Sequence, residues 1–168
     1  GSTEFYDTLM ISSSDEIEFY YHLIAEQIRY PDDHSWVEFT INPAARHQDG
    51  QPITAEDVVF TFNKFMEQGV PFVRIQYKPV TKVVALDRLT VRFEFDGANK
   101  DLISSMATLP ILPQHYWQER DLSEPLTDIP LGSGAYTVSN YAMGQYVVYE
   151  RLPDYWAKDL PSRRGTLN

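Results

Sequence analysis

Residues 36–68, WVEFTINPAARHQDGQPITAEDVVFTFNKFMEQ, constrain the fold more than any other stretch, because the hydrophobic period changes from two residues to about 3.6 across one polar turn. In 36–41, Val37, Phe39 and Ile41 alternate with Trp36, Glu38 and Thr40, as in a strand with one face buried. Pro43 ends that strand by removing a backbone donor. Asp49-Gly50 supplies a tight turn, since Gly accepts positive φ and Asp can bond the backbone ahead of it. Thr54 is placed as a helix N-cap, with Asp57 three residues on in a variant of the capping box. Glu56 and Asp57 put negative charge at the positive end of the helix dipole. Val58, Val59, Phe62, Phe65 and Met66 fall on one helical face, and Gly69 is placed to stop the helix. Strand, turn and capped helix together specify an α+β domain and, by themselves, no chemistry.

The flanking segments extend that reading. Residues 5–11 (FYDTLMI) have strand character, and the cluster 12–16 is a loop or a helix start capped by Ser14 or Asp15. The spacing of Phe19, Tyr20, Leu23, Ile24 and Ile28 predicts a helix over 17–28, followed by a turn at 30–34. Residues 69–78 show no period and read as an irregular connection. Residues 80–86 and 89–95 read as a hairpin turning at Asp87-Arg88, with Leu89, Val91, Phe93 and Phe95 on one face. Asn99 or Asp101 caps a short helix carrying Leu102, Ile103, Met106 and Ala107. Pro110 and Pro113 keep 109–113 out of any central strand. A polar connection with one helical turn at Tyr116-Trp117 leads to strands at 135–141 and 146–151.

Composition narrows the function classes. A chain of 168 residues has room for one domain or two small subdomains with a real core. A net charge of −10 argues against nucleic acid or an anionic membrane surface as partner. The absence of cysteine excludes disulfides and thiolate chemistry. No apolar run reaches the ~18 residues of a membrane-spanning helix, and no export signal is present. Gly1-Ser2 reads as a cloning scar, so the missing signal says nothing about the compartment.

Several motifs admit a chemical reading and a structural one. Gly132-Ser133-Gly134 lacks the Lys of a phosphate loop and precedes a strand, so its glycines serve a tight turn. His22, His34, His47 and His115 show none of the spacings of a metal site, and His47 with Asp49 is too short a pair to make one. Glu56-Asp57 is explained as a helix start rather than as a hydrolytic pair, whose carboxylates come from separated elements. No G-x-S-x-G surrounds Ser12, Ser13 or Ser14. Tyr155-Trp156 suits either packing on a sheet or an aromatic platform for a ligand.

Function enters through three phrases. Asp49, Gly50, Pro52, Ile53, Thr54, Ala55, Glu56, Asp57, Val58, Phe60 and Thr61 match, in order and without gaps, a segment similar to the hallmark of the extracellular solute-binding proteins, family 5. Pro130, Gly132, Ser133, Gly134, Ala135 and Tyr136 resemble a second phrase of that family. Residues 152–156 (LPDYW) resemble a third, with Leu152 where the family has Asn. The tail 157–168 is most similar to the branch that takes up oligopeptides and peptide antibiotics.

The resemblance implies a partial class II periplasmic-binding-protein-like fold, α+β with a mixed or antiparallel sheet and a few helices. It implies a small subdomain of the first lobe at 5–113, a connection at 114–129 and the start of the main first lobe at 130–168, with the second lobe absent. It implies no enzyme and no cofactor, but periplasmic capture of a peptide ligand and delivery to an ABC permease of the inner membrane, by a monomer. The loop with Ser13, Ser14, Asp15 and Glu16, and the segment with Met106, Thr108 and Leu109, are the implied cleft residues. Hydroxyls and carboxylates in the first would hold a peptide backbone or its ammonium, and Met106 would be an adaptable wall or part of the core. The competing functions are a carbohydrate-binding or interaction module and a hydrolase built on paired carboxylates.

Overall fold

The computed structural model describes residues 5–12, 20–125 and 127–163. In chain order its elements are β1 (Met10–Ser12), β2 (Tyr20–His22), β3 (Ala25–Arg29), β4 (Trp36–Ile41), α1 (Ala55–Gln68), α2 (Pro71–Tyr77), β5 (Val80–Ala85), β6 (Thr90–Phe95), α3 (Lys100–Ala107), α4 (Gln114–Trp117), β7 (Tyr136–Ala142) and β8 (Tyr146–Arg151). A four-stranded sheet runs β3-β4-β6-β5, and β1-β2 and β7-β8 are two-stranded ribbons. All these pairings are antiparallel. The fold is therefore α+β.

The four-stranded sheet has one dry face. Val37, Phe39 and Ile41 of β4 and Val91, Phe93 and Phe95 of β6 are buried together with Val58 and Phe62 of α1 and Leu102, Ile103 and Met106 of α3. Each large side chain so covered contributes about 1.5–3 kcal/mol relative to exposure. The N-terminal end of α1 is fixed by Asp57 Oδ2, which accepts from the N–H of Thr54 at 3.0 Å. Gly69 ends α1 with φ −69°, so its value is not left-handed freedom. A Cβ there would collide with the carbonyl oxygen of Phe65, which the Gly69 N–H must reach at 2.8 Å.

The opposite face is polar, with one carboxylate buried in it. Register places Glu38 between Arg29 and Arg92 on the neighbouring strands. Its carboxylate accepts from Arg29 Nη2 at 2.6 Å and from Arg92 Nη1 at 3.0 Å. The Arg92 guanidinium lies 4.1 Å from the centre of the Trp36 ring. These partners bury Glu38 on what the alternation alone marks as a solvent position.

Two expectations are corrected. The described part of 17–28 is not helical but forms β2 and β3. The paired apolar residues Leu23 and Ile24 mimic a helical stripe, but they point into two different cores. Ile24 joins the sheet cluster, whereas Leu23 packs with Ala135, Tyr155 and Ala157. Residues 69–78 hold the helix α2, started by Pro71 at its first turn. It has no fully buried residue; only Val73 and Tyr77, one turn apart, are half-buried, while Phe72 and Ile75 are exposed, so the apolar residues do not mark one face. The hairpin β5–β6, the helix α3 capped by the Asn99 side chain, the turn at Tyr116-Trp117 and the ribbon β7–β8 agree with the sequence reading.

Candidate functional site

Two of the three phrases meet on one short segment, Phe5-Tyr6-Asp7, and the first is tied to the second beside it. From the first phrase comes the turn at Asp49-Gly50, where Gly50 has φ 84° and Asp49 Oδ1 accepts from the Gln51 N–H at 3.1 Å. It presents Gln48, whose side-chain amide donates to the carbonyls of Gly134 (3.1 Å) and Tyr136 (2.9 Å). From the second phrase, the N–H groups of Ser133 and Gly134 both donate to the Phe5 carbonyl, at 3.1 and 2.9 Å. Gly132 is required by proximity, because a Cβ would lie 2.7 Å from the Phe5 ring and collide with the Phe5 carbonyl oxygen. From the third phrase, the Tyr155 hydroxyl donates to Asp7 Oδ2 at 2.8 Å and Trp156 Nε1 donates to the same oxygen at 3.0 Å. Arg163 completes the set at 3.3 Å from Asp7 Oδ1, and the Asp7 N–H donates to Ser133 Oγ at 2.9 Å.

Asp7 is fully buried, and burial pushes its carboxyl up to about 6 against the pull of Tyr155, Arg163 and Trp156. Burial, together with the Asp7 charge, also raises the Tyr155 hydroxyl above the ordinary tyrosine range. A carboxylate with each oxygen already engaged has no geometry for a substrate proton, so this junction binds segments of the chain to one another. The cavity beside it measures about 280 Å³ and is edged by Arg46, Asp154 and Leu152. That is below the roughly 300–1,000 Å³ of ordinary ligand pockets.

The other side of the same segment has a different chemistry. Tyr6 lines an apolar cavity of about 420 Å³ with Phe65, Val73, Tyr77, Pro110, Leu112, Trp117, Leu122 and Pro130. The Thr8–Pro110 bridge and the Ile111 N–H to Asp7 carbonyl bond (3.0 Å) fix this wall against 109–113. Trp117 Nε1 donates to the Tyr6 oxygen at 3.1 Å, which leaves the Tyr6 hydroxyl its own proton to donate. An apolar wall with one convergent hydroxyl can hold an apolar group and orient a carbonyl beside it. This cavity is the candidate ligand-facing surface.

Ser13, Ser14, Asp15 and Glu16 lie outside the described residues, between β1 and β2. Met106 and Leu109 are fully buried in the sheet core. Thr108 is exposed, and its hydroxyl donates to the Ser104 carbonyl at 3.0 Å. Tyr155 is buried rather than displayed, and Trp156 is half-buried beside it. Asp57 is held by the Thr54 and Gln114 N–H groups and by His47 Nε2 at 3.1 Å, so the Glu56-Asp57 pair is a helix start. Among the described residues, no three His, Asp or Glu side chains are grouped to hold a metal, and no helix is long and apolar enough to cross a membrane. Tyr6 and Asp7 are not among the residues the sequence marks. Their signal was a tyrosine and a carboxylate inside the apolar run 5–11, on alternating sides of an extended segment.

The chain is 52% identical over 165 residues to YejA of Escherichia coli (strain K12), covering 98% of this chain and 27% of that protein. It is 38% identical over 163 residues to the peptidoglycan-binding protein YepA of Agrobacterium fabrum, covering 95% of this chain and 26% of that protein. Among solved structures, a putative peptide binding protein, AppA of Clostridium difficile, superposes with a TM-score of 0.77 at 27% identity, over 92% of this chain and 33% of that one. The chain thus spans about a quarter of the length of the curated relatives. Residues 19–165 match the family described as bacterial extracellular solute-binding proteins, family 5 Middle. That match takes in all three phrases, two of which meet at Asp7, and the chain belongs to the bacterial extracellular solute-binding proteins, family 5.

Proposed function

We propose that the longer protein of which these residues form part captures oligopeptides in the periplasm and hands them to an ABC permease of the inner membrane. The observation that carries this reading is the family match across residues 19–165. The similarity to a putative peptide binding protein supports peptides as the ligand class. The cavity around Tyr6 supplies a wall of the kind a peptide needs, apolar surface for side chains and a hydroxyl for a backbone carbonyl. Ser13, Ser14, Asp15, Glu16 and Thr108 are assigned to the same cleft, with Met106 and Leu109 as the packed support behind it. In this assignment 5–113 is a subdomain of the first lobe, 114–129 a connection, and 130–168 the start of the main lobe. A second lobe closes over the ligand by a hinge.

Calorimetry with a mixed pool of tri- to pentapeptides tests this on the 168-residue chain and on the longer protein side by side. The longer protein is expected to bind and the 168 residues to bind far more weakly, because half the cleft is missing. Micromolar or tighter binding by the 168 residues alone would overturn the shared-cleft reading. No binding by the longer protein would overturn the peptide reading. The relative named as a peptidoglycan-binding protein favours cell-wall peptides as a second reading. Competition by solubilised peptidoglycan fragments separates the two.

A further inference from the structure

We propose that Asp96-Gly97 is a site of spontaneous backbone isomerisation, and that Asp49-Gly50, the same dipeptide in the turn before α1, is protected from it by its hydrogen bonds.

Asp-Gly occurs twice in the chain and Asn-Gly not at all. In such a pair the glycine amide nitrogen can attack Cγ of the preceding aspartate, because glycine has no Cβ to hinder the approach. The N–Cγ bond forms and a Cγ–O bond breaks. The carboxyl hydroxyl leaves with the amide proton as water. Water then opens the five-membered ring. Attack at the main-chain carbonyl leaves the chain running through Cβ and Cγ, which is isoaspartate with a free α-carboxylate. One water is released and one is consumed, so the mass is unchanged and no oxidant or cofactor is needed.

The two pairs form an internal comparison. Both are exposed. Gly50 has φ 84° and Gly97 φ 81°, and a Cβ at either would meet nothing within 4 Å. Crowding therefore does not separate them, but hydrogen bonding does. Asp49 Oδ1 accepts from the Gln51 N–H at 3.1 Å and Oδ2 lies 2.7 Å from His115 Nε2. The Gly50 N–H donates to the His47 carbonyl at 2.9 Å. Electrophile and nucleophile are thus both held, and apart. At the second pair, among the described residues, the Asp96 carboxylate has no hydrogen bond or ion pair and the Gly97 N–H has no acceptor. The chain is anchored just before this peptide, by the Asp96 N–H on the Pro79 carbonyl at 2.8 Å, and just after it, by the Asn99 N–H on the His34 carbonyl at 3.0 Å. Every partner named lies between His34 and His115, so the contrast is set within the body of the sheet and its helices.

Isomerisation adds one methylene to the main chain ahead of Asn99. The Asn99 side chain caps α3 by accepting from the Leu102 N–H at 3.1 Å, and α3 supplies Leu102, Ile103 and Met106 to the sheet core. Displacing the cap loosens that helix, so the isomerised chain should be the less stable one.

The test incubates the folded chain for several weeks in warm, mildly acidic buffer made with heavy-oxygen water. Tryptic peptides 93–100 and 47–64 separate the two sites. The 93–100 peptide is expected to gain a second chromatographic peak carrying one heavy oxygen, several times more of it than 47–64. The same two segments as free peptides should isomerise at comparable rates, since the protecting partners are gone. Asp96→Glu, which could close only a less favourable six-membered ring, should abolish the peak and hold the thermal midpoint constant while that of the unsubstituted chain falls. No isomer in 93–100, or as much in 47–64, overturns the proposal. So does a disparity between the free peptides equal to that in the folded chain, because the selectivity would then lie in the flanking sequence. A midpoint that falls equally in Asp96→Glu overturns the link to the α3 cap.

Discussion

The strands β6 and β8 are of equal length, each hydrogen-bonded in an antiparallel ladder, yet their surroundings are opposite. In β6 buried and half-buried residues alternate, with Val91, Phe93 and Phe95 under the helices and Arg92 and Glu94 in the salt-bridged outer face. In β8 every residue is exposed. The compositions explain the contrast. TVRFEF alternates and so specifies which face is dry, whereas YVVYER does not alternate and specifies only that a strand forms. Pairing is decided by local residue type; burial is decided by whether another layer arrives. Between the two regions stands the Asp7 junction, which ties 132–134 and 155–163 to the first segment by hydrogen bonds rather than by a large core.

The comparison breaks most sharply at Phe93. This ring is fully buried and lies in edge contact with Phe39, 6.1 Å between centroids, and with Phe62, 5.9 Å. Phe93→Ala is expected to cost about 3–5 kcal/mol, as large-to-small changes in a packed core do. Urea unfolding followed by dichroism measures it; a loss no larger than that of a surface change would show that the sheet is not the stable part.

The junction should come next. Asp7→Ala leaves the Tyr155 hydroxyl, Trp156 Nε1 and Arg163 without the acceptor they share, a loss of about 2–3 kcal/mol for buried polar groups stranded this way. The effect should be read at Trp156 by fluorescence before it is read in the sheet. Asp7 also sets a pH dependence of unusual sign. Its folded carboxyl titrates at about 6, above the ~3.9 of an unfolded chain, so the folded state binds the proton more tightly. On this group alone, stability therefore rises as pH falls from about 6 towards about 4, and is lower at neutral pH. The hydrogen-bonded carboxylates Asp49 and Asp87, held below the ordinary value, act the other way, and their contribution is lost only at more acid pH. Urea midpoints between about pH 7 and about pH 4 should climb in the native chain and flatten in Asp7→Asn. Equal slopes in the two would remove Asp7 from the titration.

Glycines sharpen the contrast at a smaller scale. Gly132→Ala forces a methyl against the backbone of Phe5 and should cost about 1–3 kcal/mol, as overpacking does. Gly144, in the turn of the ribbon, has φ 71° and nothing within 4 Å, so Gly144→Ala meets conformational strain alone, about 1 kcal/mol. Thermal midpoints that rank these two in reverse would mean that the junction yields more easily than its hydrogen bonds suggest.

Much of the fold was legible because its cues are local. Alternation in β4 and β6, the Asp57 side chain at the start of α1 and the Asn99 cap each declare themselves within a few residues. The helix expected over 17–28 failed because Leu23 and Ile24 serve two cores, and no local pattern states which core a residue will meet. Glu38 reads as a solvent position until Arg29 and Arg92 are brought beside it by the sheet. The candidate site and the junction beside it were harder still. Tyr6 meets Trp117 across 111 residues and Asp7 meets Tyr155 across 148, so neither contact leaves a spacing that a sequence reader could use. The three family phrases identified the chain correctly, yet their residues turn, cap and fasten, and the apolar wall beside them is built mostly from other positions.

The smallest expected effect is the most pointed. Val147→Ala should change unfolding stability by no more than about 0.5 kcal/mol, because the side chain is half exposed and packs against no core. The equivalent truncation in β6, Val91→Ala, removes a fully buried side chain and should cost several times as much. If Val147→Ala instead proves costly, the ribbon is covered by something in solution that its exposure does not reveal. The distinction between a strand that pairs and a strand that packs would then have to be redrawn for this molecule.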